Sequence, residues 1–195
     1  VSMLAEAEVQ GMKLQMVSIQ SKPNKQVTMM MMMGNTMMKM VFDGEKGSVS
    51  QQGVINSLPE DQVEEMINST LPFEELGWLS DENVKFNSIE EEDGKTLHVL
   101  EVSKNTFVAY DSETGLKYKQ TQIADMPDGS KMPQTTYYDD YRLVEGILFP
   151  YVIRAPIGPQ SLDFNVMNRS ANPQVSDSHS VIQNERLISQ NSSKN

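Results

Sequence analysis

The sequence predicts a mainly β fold with a small α-helical plug, built on a strongly curved antiparallel sheet or an unclosed β-barrel. Apolar and polar residues alternate with a period of two through most of the chain, as in strands whose two faces differ in solvation. Turn signals such as Asp43-Gly44, Asp93-Gly94 and Glu145-Gly146 recur at short intervals. They divide the chain into about ten or eleven strands, and an open sheet of that size tends to curl, close or split. A bent sheet or an incomplete barrel is therefore the economical architecture.

Composition excludes several classes of function. The 195 residues fit one domain of ordinary size, and the absence of cysteine excludes disulfides, thiolate nucleophiles and Cys-based metal sites. The net charge of -11 disfavours a nucleic-acid partner and electrostatic docking on anionic lipid. No apolar run approaches the ~18 residues of a membrane-spanning helix, and no basic-then-apolar leader is present. The start Val-Ser-Met suggests a mature or excised segment.

The first strand is predicted over residues Ala5 to Gln20. Within it, Met12, Leu14 and Met16 alternate with polar residues at even positions, and the apolar residues then change to odd positions at Val17 and Ile19. A change of phase within one long strand indicates a β-bulge and a strong bend. A turn at Lys22-Pro-Asn-Lys25 then leads into a methionine-rich segment.

Methionine is concentrated in one short stretch, because eight of the 15 methionines lie between Met29 and Met40. The stretch predicts two strands that fold back at Gly34-Asn35. Methionine is unbranched and polarizable, so a surface lined with it can adapt to an irregular apolar ligand, although methionine also fills ordinary cores. Five consecutive methionines place apolar side chains on both faces of a strand, and both faces then need cover.

A helix and a short apolar segment follow and form a predicted plug over about residues 58–79. Pro59 and the acidic residues after it suit the first turn of a helix from Leu58 to Asn68. The apolar stripe of this helix and the apolar residues that follow it could cover one face of the sheet. These residues are Val63, Met66, Ile67, Phe73, Leu76, Trp78 and Leu79.

Residue patterns typical of catalysis or metal binding are missing from the sequence. The two histidines, His98 and His179, are far apart, one in a predicted strand and one near the C-terminus. Asp139 and Asp140 are strand neighbours, so their side chains point to opposite faces. The sequence contains no G-x-S-x-G element and no phosphate-binding glycine loop. We therefore predict no catalytic residue, no metal site and no cofactor.

The chain is predicted to contain one ordered domain followed by a tail. The domain spans residues 1–168, with the plug inside it. From Arg169 the composition shifts to Ser, Asn and Gln, so residues 169–195 are interpreted as a polar flexible tail.

Several segments between residues Ala5 and Met167 resemble a known family. They are Gln10-Gly-Met12, Pro23-Asn-Lys25, Val41-Phe-Asp-Gly-Glu-Lys-Gly47, Asp111-Ser-Glu-Thr-Gly-Leu-Lys117, Thr135-Thr-Tyr-Tyr-Asp-Asp-Tyr141, Val144-Glu-Gly-Ile-Leu-Phe-Pro-Tyr151 and Gly158-Pro-Gln-Ser-Leu-Asp-Phe164. The sequence resembles the accessory C-terminal domain of some insulinase-family zinc peptidase chains of Bacteroidetes-type bacteria. More distantly, it is similar to the periplasmic carriers that sort outer-membrane lipoproteins (LolA/LolB-like).

This resemblance implies an unclosed antiparallel β-barrel whose helical plug covers an apolar cavity. In the carriers that cavity holds lipoprotein acyl chains, which implies a periplasmic or cell-envelope location. The peptidase's zinc motif is absent from this chain, so the resemblance implies no catalysis. The carriers' lipid site is a distributed apolar lining and not a motif, so no site residue can be transferred from it.

Two functions remain open from the sequence, and a third and weaker option, an isolated metallohydrolase subunit, would require metal ligands that the sequence does not show. The first is a non-enzymatic cell-envelope domain that binds an acyl chain, a lipoprotein or another apolar ligand in a Met-lined concavity. The second is an interaction or accessory module that contacts an insulinase-family peptidase domain or an envelope protein through the same surface. The predicted lining residues are Met29, Met31, Met33, Met38, Met40, Met66, Phe73 and Trp78.

Overall fold

The computed structural model describes residues 1–22, 24–69, 73–79, 81–125, 129–157 and 160–172. These residues form thirteen β-strands and two short α-helices. The elements are β1 (Ser2–Val9), β2 (Met12–Ser21), β3 (Lys25–Met32), β4 (Asn35–Phe42), β5 (Gly47–Gln51), β6 (Val54–Ser57), α1 (Glu60–Ser69), α2 (Glu75–Trp78), β7 (Lys85–Glu92), β8 (Lys95–Ser103), β9 (Thr106–Asp111), β10 (Lys117–Asp125), β11 (Lys131–Val144), β12 (Ile147–Ile157) and β13 (Gln160–Ser170).

The strands of the described residues form one sheet with a linear order. The order is β6-β5-β4-β3-β2-β1-β13-β12-β11-β10-β9-β8-β7, so β6 and β7 are the two edge strands. Most neighbours in the sheet are also neighbours in the chain and pair antiparallel as hairpins. The predicted fold class, a mainly β chain with an unclosed antiparallel sheet and a small helical part, is confirmed. The strand count exceeds the ten or eleven predicted.

Two compact units divide the described residues. Unit 1 contains the described residues of 1–72 and 167–172, and unit 2 contains those of 73–166. The predicted end of the ordered domain at Asn168 lies within β13, which continues to Ser170. Most of the predicted tail, residues 173–195, lies outside the described residues.

The predicted first strand is two strands in the structure. β1 and β2 pair antiparallel from Ser2 opposite Ile19 to Val9 opposite Met12, with a turn at Gln10-Gly11 between them. The predicted bulge is wrong, because the register of β2 is continuous with both of its neighbours. The apolar residues change phase because opposite faces of β2 are buried at its two ends, at Leu14 on one face and at Val17 and Ile19 on the other.

Five hairpins of the described residues use the same two-residue turn. In each, a non-glycine residue with φ near +50° precedes a glycine with φ between +74° and +86°. Positive φ at both positions is the signature of the type I′ turn, whose twist matches that of paired strands. The turns are Gln10-Gly11, Met33-Gly34, Gln52-Gly53, Asp93-Gly94 and Glu145-Gly146. The predicted methionine hairpin therefore turns one residue earlier than expected.

Unit 2 has a small apolar core between its strands. Leu97, Val99 and Ala109 are fully buried and form one cluster, with Phe107 packed against it. Val108 lies on the other face of β9, where it is also fully buried. The β-strands of this unit thus bury apolar residues on both faces, as the strands of unit 1 do.

Candidate ligand-binding site

Strand β3 divides its methionines between two faces. Met29 and Met31 point to one side, where only 1% and 7% of their surface is exposed. They pack in a cluster with Val17 and Ile19 of β2. These two predicted lining residues therefore belong to the packed core of unit 1.

The opposite face of β3 carries a row of methionines from three adjacent strands. Met30 lies directly opposite Met16 of β2 and Met38 of β4. Residues directly opposite in an antiparallel pair project to the same face, with Cβ atoms about 5 Å apart. We call this surface the methionine face, and by strand register its methionines are Met3, Met12, Met16, Met30, Met32, Met38 and Met40.

Most of these side chains are neither fully buried nor fully exposed. Met3 is buried at 8% exposure, whereas the other six methionines of the face are half-buried. The Nη2 atom of Arg169 lies 2.9 Å from the Met3 sulfur, so one positive charge reaches the face at β1. The methionine face is therefore a mainly apolar surface with partial cover and one cationic group at one end.

Leu58 supplies part of this cover at the other end of the face. The side chain of Phe42, which is 1% exposed, projects to the methionine face, and Gly47 of β5 lies directly opposite it. A Cβ atom added to Gly47 would come within 3.1 Å of Leu58 Cγ. Leu58 therefore occupies the space above Gly47, just before α1 begins.

The structure places the other predicted residues of unit 1 differently. Met38 and Met40 lie on the methionine face, opposite Met30 and Thr28. Met33 is 77% exposed, because it occupies the hairpin turn with φ at +52°. Met66 is half-buried on α1.

The last two predicted residues belong to unit 2, in the segment around α2. The ring of Phe73 packs against Phe149 of β12 with a centroid distance of 6.0 Å. The Trp78 ring lies 5.4 Å from the Nζ atom of Lys117, in cation–π geometry. This short helical segment is thus in contact with the strands of its own unit.

A polar network joins α2 to strands β9 and β10. The Nζ atom of Lys117 lies 3.0 Å from Glu75 Oε1, and its side chain is only 17% exposed. The hydroxyl of Tyr110 donates a hydrogen bond to the same Glu75 oxygen at 3.0 Å. Lys117 also lies 5.8 Å from the ring centre of Tyr138. We call Glu75, Lys117 and Tyr110 the α2 network.

The environment of the network sets its ionisation. Burial opposes the charge of Glu75, but the positive charge and hydrogen bonds of its partners outweigh burial, so its pKa is lowered. Burial raises the pKa of the neighbouring Glu74, and the charge of Lys117 offsets only part of that effect. Burial and the nearby carboxylates raise the pKa of Tyr110. At neutral pH the network therefore contains an ionised Glu75 that accepts from a protonated Tyr110.

The sequence-based set did not include Met16 and Met30, nor the residues of the α2 network. Strict alternation separates Met30 from Met29 and Met31, and this signal could have assigned Met30 and Met32 to one face of β3. No local pattern signals the pairing of Lys117 with Glu75, because it depends on contacts distant in sequence.

The described residues hold no group of three or more His, Cys, Asp or Glu side chains that could bind a metal ion. His98 is exposed, and its ring lies edge-on to Phe86 at 6.3 Å. None of the described helices has the length and apolar character needed to cross a membrane.

The sequence matches no model of a known protein family and no curated protein. A solved structure of a LolA superfamily protein from Nitrosomonas europaea is similar, with a TM-score of 0.57 and 13% identity over 92% of this chain and 87% of that chain. A domain from Vibrio parahaemolyticus described as an outer membrane lipoprotein-sorting protein has a TM-score of 0.54 and 12% identity over 95% and 89% of the two chains. A DUF1329 family protein from Desulfovibrio piger has a TM-score of 0.54 and 8% identity over 94% and 89%. The chain therefore shares its fold with these LolA-superfamily and DUF1329 proteins.

Proposed function

We propose that this chain is a non-enzymatic cell-envelope domain that binds an acyl chain, a lipoprotein acyl group or another apolar ligand on its methionine face. The observation that carries the proposal is the row of Met16, Met30 and Met38 across three paired strands. The similarity in fold to a domain described as an outer membrane lipoprotein-sorting protein supports it. The same similarity supports a periplasmic or envelope location.

The physical chemistry of the face favours a flexible apolar ligand. Each buried methylene of an acyl chain contributes about 0.8 kcal/mol, so ten methylenes could contribute about 8 kcal/mol before the costs of binding. Methionine side chains can adjust their three rotatable bonds to such a chain. Apolar contact would then dominate affinity, and ligands of different length would be accepted.

The proposed lining differs in part from the set predicted from sequence. Met38, Met40 and Met66 remain in it, and Met16 and Met30 are added. Met29 and Met31 would support the face from the core on the other side of β3. For Phe73 and Trp78 we propose a separate role, as the cover of an apolar face of unit 2.

Native mass spectrometry of protein purified from a bacterial host tests the proposal directly. We expect a stoichiometric acyl species that solvent extraction releases and lipid analysis identifies. The double variant Met30→Ser, Met38→Ser should lose this species while it remains folded, because two polar side chains then replace the centre of the row. The matched control is Met33→Ser, which makes the same change at an exposed position and should keep the ligand.

The second candidate is an accessory or interaction module of an insulinase-family peptidase, without catalysis of its own. Exposed apolar residues on edge strand β6 favour it, since Val54 and Ile55 are 61% and 73% exposed. An edge strand with exposed apolar side chains can pair with a strand of a partner. A ligand-free mass that does not change on addition of oleic acid would favour this candidate and contradict the acyl-binding proposal.

A further inference from the structure

Unit 2 contains a partly open cavity on the face of β7 to β10 that carries Val99 and Ala109. Its volume is about 250 Å³, and it is lined by Asn87, Glu90, Val99, Phe107, Ala109, Lys119 and Thr121. This volume lies just below the lower bound of ~300 Å³ that is typical of pockets for drug-sized ligands. The cavity is therefore suited to a compact small molecule.

The floor of the cavity is apolar and buried. Val99 and Ala109 lie directly opposite each other on β8 and β9, at 4% and 1% exposure. Phe107 packs against the same cluster. A planar or short aliphatic group would find close contact on this floor.

The charged groups at one wall carry a net negative charge. Lys119 Nζ lies 2.9 Å from Glu90 Oε2 and 2.5 Å from Glu92 Oε2, so one cation is shared by two carboxylates. Glu92 is also hydrogen-bonded to Tyr137. Lys119 is thus already neutralised within the protein, and an anionic ligand would meet an excess of negative charge.

Three groups around the cavity can accept a further hydrogen bond. Glu90 contributes one oxygen to Lys119, and within the described residues its second oxygen has no hydrogen-bond partner. Asn87 uses its side-chain N–H to bond Ser88, which leaves its carbonyl oxygen as an acceptor. The hydroxyls of Thr121 and Thr135 bond each other at 2.9 Å, and either can act as acceptor.

We propose that this cavity binds a small organic cation, a primary or secondary ammonium attached to a compact apolar group. The ammonium would donate to Glu90 and to the Asn87 carbonyl, and the apolar group would rest on Val99, Ala109 and Phe107. The site lies on the face of β8 and β9 opposite Tyr110 and the α2 network, and it does not depend on the acyl-binding proposal.

The test compares three probes of nearly equal size and different charge: phenethylammonium, phenethyl alcohol and phenylacetate. Binding is followed by methyl NMR shifts of Val99, Ala109 and Thr121 in the full chain. We expect phenethylammonium to bind with a dissociation constant in about the millimolar range, as for other small fragments. The alcohol should bind about tenfold more weakly or worse, since it lacks a charge-assisted bond, and phenylacetate should not bind.

Two cavity variants and one control locate the site. Glu90→Gln should weaken phenethylammonium binding about tenfold, and Lys119 keeps Glu92 as a partner in this variant. Asn87→Ala removes the second acceptor without touching the Lys119 pair and should also weaken binding. The control Glu91→Gln makes the same change as Glu90→Gln at the next residue, which is exposed and bonds Thr96.

Equal binding of phenylacetate and phenethylammonium would overturn the proposal. So would equal losses in the Glu90→Gln and Glu91→Gln variants, or no methyl shift in the wild-type chain at the highest soluble concentration of phenethylammonium.

Discussion

Glu75 joins the short helix α2 to two strands of unit 2 through a single carboxylate oxygen. That oxygen accepts from both Lys117 and Tyr110. A four-residue helix has almost no stability of its own, because the loss of conformational entropy on forming the first turn exceeds the gain from its few hydrogen bonds. The position of α2 therefore depends on these contacts and on the aromatic contact of Phe73.

Replacement of Glu75 by alanine should destabilise unit 2 by about 1 kcal/mol. The change leaves a largely buried lysine and a tyrosine hydroxyl without their shared acceptor, and partial exposure of Glu75 keeps the cost at the low end of the range. Urea unfolding followed by Trp78 fluorescence measures the change. The adjacent control Leu76→Ala, at a side chain that is 63% exposed, should have little effect. Equal losses in the two variants would contradict the role of the network.

The ionised carboxylate of Asp111 should make the folding stability of the chain depend on pH in the acid range. Its carboxylate accepts from Lys95 Nζ at 2.7 Å and from the backbone N–H groups of Glu113 and Thr114. The hydrogen bond from Lys95 and those from the backbone lower the pKa of Asp111 to about 2, against an ordinary value of 3.8. Because the folded-state pKa is depressed, the stabilisation is fully present above the ordinary value and is lost as pH falls from about 4 towards 2.

The Asp111→Asn variant should therefore be less stable than the wild type at neutral pH, and the difference should shrink between about pH 4 and pH 2. Urea midpoints measured across this range provide the test. The variant Glu113→Gln, in the same turn, is the control and should follow the wild-type curve. A difference that stays constant down to pH 2 would show that the Asp111 charge does not supply the stabilisation.

In unit 1 the turns between strands determine the register in which the strands pair. Each type I′ turn fixes which residues lie opposite each other, and a shift of one residue would move every side chain of a strand to the other face. The turn at Met33-Gly34 places Met32 opposite Asn35, and a bulge follows between Met30 and Met31. That combination puts Met30 and Met38 on the same face.

Met33 is an unfavourable residue for its turn. Its φ of +52° is strained for most side chains, whereas asparagine adopts positive φ readily and is common in type I′ turns. Met33→Asn should raise the free energy of unfolding by about 0.5 to 1 kcal/mol. The measurement is urea unfolding, and Met37→Asn within β4 is the control, which should not stabilise the chain. No gain at Met33 would argue against the turn position.

The methionine hairpin shows how far sequence reasoning reaches. Alternation alone establishes that Met29 and Met31 share one face and that Met30 and Met32 share the other. The turn could not be placed from sequence, because Gly34 can be the second residue of Met33-Gly34 or the first of Gly34-Asn35, and Asn35 is itself a frequent turn residue. The bulge in β4 has no local signal at all. The fold class and the two faces of β3 were therefore predictable, whereas the β4 members of the methionine face, Met38 and Met40, were not.

At the scale of the whole molecule, the net charge of -11 should slow the approach of the protein to an anionic membrane. A protein of this charge is repelled by anionic lipid, and salt screens the repulsion over a distance of about 10 Å at 0.1 M. If the acyl-binding proposal is correct, uptake of a labelled fatty acid from phosphatidylglycerol vesicles should become faster with added salt. Uptake from phosphatidylcholine vesicles is the control and should change little. Equal salt dependence for both vesicles would contradict an electrostatic barrier.

Because the methionines differ in burial, they should also differ in their rates of oxidation. A thioether that reaches solvent is converted by peroxide to a polar sulfoxide, and a buried one is protected. Among the methionines that the structure describes, we expect Met33 at 77% exposure to react first and Met29 at 1% to react last, as read by peptide mass spectrometry over a time course of hydrogen peroxide treatment. The half-buried Met30 and Met38 should react between them. A bound apolar ligand should slow the oxidation of Met30 and Met38 without changing Met33, so the sulfur atoms themselves would report occupancy of the methionine face.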